Sequence, residues 1–324
     1  MFGGLIMLDK RKVVIIGAGH VGSHVAMALC FQGTCDEIAF IDIDREKAVA
    51  NCYDVADACL FLGSTTKIKV GDYEDCRDAD IIVNSIGMPR KPGQTRLDML
   101  DDSIRMLKDV VENLKPIDFK GIFVSITNPA DVIANYARVH LGLPRERCFS
   151  TGTSLDTARL KRTVSELANI DRKSVTTCAI GEHGDSSFIP WSVANISNVP
   201  IRECGKLILT PGLTSPELDF EEVEQYVRKS GGRVIARKGA TFYAVSVSVC
   251  HIVKCIFDGM DTTMTVSTMM HGEYGVNDVC LSTLNMIGHD GIRGKVNVPL
   301  TDEEVAKLRH SADTLKAVIN SLEI

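Results

Sequence analysis

Over the first 150 residues, short β-branched apolar runs alternate with longer stretches of helical spacing. The runs at 13–16, 38–43, 67–70, 81–85 and 122–126 are bounded by Gly, Asp or Asn and read as strands. Most are continuously apolar rather than alternating, which predicts strands buried on both faces, as in a parallel sheet covered by helices. Between them, 21–31, 45–60, 97–114 and 129–141 repeat apolar residues at helical spacing. Strand, helix, strand in this order predicts right-handed crossovers and a doubly wound α/β sheet.

After residue 150 the texture changes. A helix is expected over 155–168 and strands near 174–180 and 187–196. A long helical region follows at about 217–257, with a kink expected near Gly231-Gly232. Two apolar β stretches lie around 264–270 and 279–287. A last helix opens on the capping box Thr301-Asp302-Glu303-Glu304, with Val305, Leu308, Ala312, Leu315, Val318, Ile319 and Leu322 as one stripe. No internal repeat or low-complexity segment is visible. The expected organisation is two domains, 1–150 and 151–324, the second of mixed α+β character and joined to the first without a sharp linker.

Composition narrows the function classes. The 324 residues carry a formal charge of −6, which argues against nucleic acid or an anionic membrane as partner. No apolar run approaches the roughly 20 residues of a spanning helix. The apolar start, Met1 to Met7, precedes its cations Lys10-Arg11-Lys12, the reverse of a secretory signal, so a cytoplasmic location is expected. The 11 cysteines are odd in number, irregularly spaced and without a C-x-x-C pair. That pattern supports neither a disulfide framework nor a zinc ribbon, and no metal site is expected. Cys250, His251 and Cys255 read as small residues of one helix, the cysteines in the core.

Two constellations carry chemistry. Gly17-Ala18-Gly19-His20-Val21-Gly22 follows the first strand and opens a helix, the context a dinucleotide turn requires. Gly17 permits the tight turn, Gly19 lets backbone approach a pyrophosphate, and Gly22 allows close helix–strand packing. The helix N-terminus adds N–H donors. Asp42, twenty residues past Gly22 and at the end of the second strand, can accept hydrogen bonds from a ribose and would repel a 2′-phosphate. NAD is therefore the expected cofactor, on a Rossmann sheet.

The second constellation suits hydride exchange with a 2-hydroxy acid, which needs a proton acceptor, a cation for the carboxylate and a donor for the carbonyl. Gly181-Glu182-His183-Gly184-Asp185 sets a histidine among glycines at the end of a β stretch. Asp156, at a helix start, can orient its ring. Arg159 shares a helix face with Asp156 and offers a planar grip for a carboxylate. Met88-Pro89-Arg90-Lys91-Pro92-Gly93-Gln94-Thr95-Arg96 follows the fourth strand, a cationic loop able to close over an anionic substrate.

With Thr127-Asn128-Pro129 and Gly152-Thr153-Ser154-Leu155-Asp156-Thr157-Ala158-Arg159, these motifs stand in one order from about residue 12 to the end. The chain thereby resembles the L-lactate and L-malate dehydrogenase superfamily. The resemblance implies His183 as acid/base, Asp156 as its partner, Arg159 as carboxylate clamp and Arg96 as the lid residue polarising the carbonyl. It further implies Asn128 at both substrate and nicotinamide, Val21, Gly87 and Thr151 at the cofactor, Thr241 at the substrate, and a homo-oligomer, dimer or tetramer. Gly181–Ser186, Trp191-Ser192 and Lys238-Gly239-Ala240-Thr241 look like bacterial lactate dehydrogenases. Arg90 instead falls where malate enzymes carry arginine, so L-malate or dual specificity is the alternative. Lys161 and Thr176 stand where many bacterial relatives hold an arginine and a histidine for fructose 1,6-bisphosphate, so little activation by that effector is expected. A dinucleotide sensor would share only the first half, and an NAD-dependent glycosidase would need a metal site.

Overall fold

The computed structural model describes residues 10–88, 96–206 and 218–322, with the side chains of 96–99 and 204–206 outside the description. The chain runs β1 (Lys12–Ile16), α1 (His20–Gln32), β2 (Glu37–Ile41), α2 (Arg45–Leu62), β3 (Lys67–Val70), β4 (Ile81–Asn84), α3 (Arg96–Leu114), β5 (Ile122–Ser125), α4 (Ala130–Leu141), β6 (Cys148–Ser150) and α5 (Ser154–Ala168). It continues through β7 (Val175–Thr176), β8 (Asn195–Ile196), β9 (Val199–Pro200), α6 (Phe220–Arg228), α7 (Ser230–Lys238), α8 (Tyr243–Phe257), β10 (Thr262–His271), β11 (Asn277–Gly288), β12 (Gly291–Lys295) and α9 (Asp302–Ser321).

One sheet has the strand order β12-β11-β10-β6-β5-β4-β1-β2-β3. Its six N-terminal strands are parallel, and β10–β12 extend it antiparallel through a pairing of Ser267 with Ser150. The continuous apolar runs have the expected cause, because β1 is buried along its whole length. Val13 and Ile15 pack with α1, α2 and α8, while Val14 and Ile16 pack with α3, α4 and α9. β1 pairs with both β2 and β4, so the order of connections reverses at its carboxyl end and opens a crevice there.

Three expectations need correction. The strand β6 has only three residues, too few to leave a periodic signal, and β12 is also additional. The regions near 174–180 and 187–196 are not long strands. They hold the two-residue β7 and β8, an isolated bridge between Ile180 and Phe188, and loop. The helical region at 217–257 is three helices broken at Lys229 and again at 239–242, where Gly239 adopts φ +84°. The first break falls two residues before Gly231, close to the expected kink, and the two glycines themselves lie in the first turn of α7. The capping box at Thr301 and Glu304 forms as expected.

Candidate active site

The glycine turn sits at the sheet reversal. Gly17 has φ +100°, and a Cβ there would stand 2.8 Å from the Ser85 carbonyl carbon. A Cβ at Gly22 would lie 2.0 Å from the Gly17 oxygen, so the first turn of α1 packs directly on the loop. Gly19 is different, because its Cβ would meet only the Lys47 ammonium at 3.6 Å. Space there is kept open toward the outside rather than filled by the protein. α1 has no side-chain N-cap, so its first N–H groups are free to donate to an anion. Asp42 is pinned to this turn: its Oδ2 accepts the Ala18 N–H at 2.7 Å and its Oδ1 the Asp44 N–H at 3.0 Å. Open backbone, orphan donors and a fixed carboxylate together fit a dinucleotide with a free adenosine ribose.

Below the turn, one cavity of about 310 Å³ is lined by Val21, Asn128, Asp156, Arg159, His183 and Thr241, among others. These residues come from α1, the end of β5, α5, the 181–185 loop and the segment before α8, so the fold gathers most of the expected set at one place. Gly87 is exposed after β4, and Thr151 is buried with its N–H donating to the Ser125 oxygen; neither lines the cavity. Arg90 lies outside the described residues. Arg96 begins α3, and its side chain is outside the description.

α5 starts directly after β6, which sets Asp156 and Arg159 on one face at the carboxyl edge of the sheet. The Asp156 carboxylate is shared: Oδ2 meets His183 Nδ1 at 2.6 Å and Oδ1 accepts Arg159 Nη1 at 2.8 Å. Its side chain is 12% exposed and that of His183 26%. Burial works against both charges. For Asp156 the charge and hydrogen bond of His183, then Arg159, outweigh it and hold the carboxyl below its usual range. For His183 the charge and hydrogen bond of Asp156 outweigh it and raise the imidazole. With Nδ1 engaged by Asp156, Nε2 is the ring nitrogen left for proton exchange. A proton donor and acceptor thus stands beside a guanidinium within one cavity.

Three features of the site escaped sequence reasoning. Asp131, in the first turn of α4 and 2% exposed, accepts the His183 main-chain N–H on Oδ2 at 2.8 Å. In sequence it reads as an ordinary helix-start acid after Pro129. Asn84 ties β4 to β5 through Ser125 and Thr127 at 3.1 and 3.2 Å, beneath the crevice. Glu224 forms part of the cavity wall, accepts the Trp191 Nε1–H at 2.8 Å and faces Arg228. Gly231 and Gly232 also line this wall. A Cβ at Gly231 would stand 3.6 Å from the Arg159 guanidinium, and one at Gly232 would meet nothing within 4 Å. Cys250 and Cys255 are buried on α8 in the core, and no three His, Cys, Asp or Glu side chains group as metal ligands among the described residues.

Known proteins place this geometry in a family. The lactate/malate dehydrogenase NAD-binding domain matches residues 11–150, and the corresponding alpha/beta C-terminal domain matches residues 153–323. An L-lactate dehydrogenase of Lactobacillus delbrueckii subsp. bulgaricus is 39% identical over 314 residues, covering 97% of this chain and 99% of that protein. L-lactate dehydrogenase 1 of Lactococcus lactis subsp. lactis is 37% identical, covering 97% of this chain and 96% of that protein. Among solved structures, a lactate dehydrogenase from a Medee basin deep-sea metagenome library superposes with a TM-score of 0.90 at 33% identity, over 97% of this chain and 99% of the other. A malate dehydrogenase of Archaeoglobus fulgidus in complex with NADH gives 0.86 at 31%, over 97% and 100%. The chain belongs to the lactate/malate dehydrogenase family, and its cofactor is NAD.

Proposed function

We propose that the protein is an NAD-dependent L-2-hydroxy acid dehydrogenase that interconverts pyruvate and L-lactate. The observation that carries this reading is the Asp156 carboxylate joined at once to His183 and Arg159 inside one cavity. When bound, NADH would supply the hydride, and NAD would accept it in the reverse direction. In reduction, His183 as imidazolium gives its Nε2 proton to the developing alkoxide; in oxidation the neutral ring takes it back. Asp156 keeps the ring in register and stabilises the cation. Arg159 grips the substrate carboxylate, and Arg96 polarises the carbonyl from the lid. Asn128 and Thr241 contact the substrate, and Asn128 also the nicotinamide. Gly17, Gly19, Val21, Gly22, Asp42, Gly87 and Thr151 would hold the cofactor. In this reading residues 1–150 form the cofactor unit and 151–324 the substrate unit of a cytoplasmic homo-oligomer, dimer or tetramer.

The relatives above named as lactate dehydrogenases support pyruvate. Arg90 supports a second carboxylate, because a cation facing a methyl group is desolvated without a partner. One charge-assisted contact contributes about 1.5–3 kcal/mol, or one to two decades of preference. The expected result is kcat/KM highest for pyruvate, with measurable oxaloacetate turnover that Arg90→Gln lowers by about tenfold or more. Undetectable oxaloacetate reduction removes the Arg90 reading. Absence of NADH oxidation with every 2-keto acid overturns the dehydrogenase assignment. In the same assay fructose 1,6-bisphosphate is expected to leave the pyruvate KM nearly unchanged, since Lys161 and Thr176 do not supply the guanidinium fork and imidazole.

A further inference from the structure

The chemistry above leaves one buried carboxylate unused. Asp131 lies under the 181–185 loop, packed by α4, β10 and β11, and only 2% of it is exposed. Its Oδ2 accepts the His183 main-chain N–H at 2.8 Å. Oδ1 is buried without a well-aligned partner, and the Ser267 hydroxyl of β10 lies close to the carboxylate. An asparagine would accept the same N–H through its carbonyl and avoid the cost of burying a charge. Holding the loop therefore explains an oxygen at this place but not a carboxylate.

Charge has a use here. The neighbouring charged and titratable groups are His183 and Glu182 of the loop and Cys280 of β11. Asp156 and Arg159 of α5 reach the same imidazole from its Nδ1 side. Glu182 opposes a charge on Asp131, while His183, Ser267 and the uncapped N-terminus of α4 favour it. The anion is thus kept at the main chain of the residue whose ring must become an imidazolium, close enough for its charge to favour that cation.

We propose that Asp131 is a positioning residue of this site, a second carboxylate that fixes His183 through its main-chain N–H and, together with Asp156, stabilises the protonated ring. This rests on the reading of His183 as the acid/base. Burial pushes the Asp131 carboxyl up to about 6, so it is ionised at neutral pH and its support of the imidazolium fades as pH falls through that range.

The test is the pH profile of kcat/KM for NADH-dependent pyruvate reduction in Asp131→Asn, with NADH affinity read by fluorescence titration. The alkaline limb, where His183 loses its proton, is expected to move down by about half to one pH unit. NADH affinity is expected to stay within about twofold, since the variant leaves the glycine turn untouched. A lower kcat at every pH with the limb in place means that Asp131 acts only as a structural acceptor, and overturns the proposal. If Asp131→Asn does not fold, Ser267→Ala decides: removing that hydroxyl weakens the anion, and a smaller shift in the same direction is expected, while an unmoved limb overturns the proposal. A wild-type protein inactive with all 2-keto acids rejects the dehydrogenase reading itself, whereas an active wild type with an unshifted Asp131→Asn rejects this inference alone.

Discussion

Asp156 holds two opposite charges at once, and the pH behaviour of the site follows from that. The His183 imidazole is raised, so pyruvate reduction persists to higher pH than an ordinary histidine would allow and is lost as pH rises through its folded value. Oxidation of the hydroxy acid needs the neutral ring and gains over the same interval. The stability linkage has the matching signs. The His183 contribution is complete below the pKa of an unfolded histidine and disappears as pH rises through the raised value. The Asp156 contribution is present above the unfolded carboxylate pKa and is lost as pH falls through its depressed one. Asp156→Asn is expected to lower the reduction rate at pH 7.5 by about 10³-fold or more and to bring the alkaline limb down toward ordinary histidine values. A variant with the wild-type limb would mean that another group sets the imidazole. His183, Asp156 and Arg159 were readable because their types and order are specific. Asp131 was not, because nothing in a linear pattern distinguishes a helix-start acid in solvent from one buried under a catalytic loop.

Among elements, the parallel strands were the most legible, since burial on both faces leaves unbroken apolar runs such as Val13 to Ile16. The short strands were illegible for a physical reason: β6 is three residues long, and β7 to β9 only two each. The glycine pair signalled a break that falls two residues before it, at Lys229. Two glycines inside a helix cost about 1 kcal/mol each relative to alanine, and here they also leave space in the wall of the cavity. Gly232 has open space where a Cβ would stand, so a side chain there enters the cavity without disturbing packing. Gly232→Leu is therefore expected to raise the melting temperature slightly, and to lower kcat/KM for a six-carbon 2-keto acid about tenfold more than for pyruvate. Equal losses for both substrates would show that this wall does not face the substrate side chain.

At the scale of the whole molecule, one sheet serves two purposes. Its reversal between β4, β1 and β2 creates the crevice for the dinucleotide, and its continuation through β6 into β10 brings α5 and the 181–185 loop against that crevice. Hydride and proton chemistry can meet because β6 belongs to both parts: its Ser150 pairs with Ser125 on one side and with Ser267 on the other. This contact was invisible in the sequence, where the partners lie more than a hundred residues apart. The two motif groups were visible, but not the cavity that joins them. The central claim is that this junction reduces a 2-keto acid with His183 as the proton donor. The direct test is kcat/KM for NADH-dependent pyruvate reduction by the wild type and by His183→Gln, with NADH affinity measured alongside. The account predicts rapid wild-type turnover and a loss of about 10³-fold or more in the variant at unchanged NADH affinity; a variant within tenfold of the wild type would contradict it.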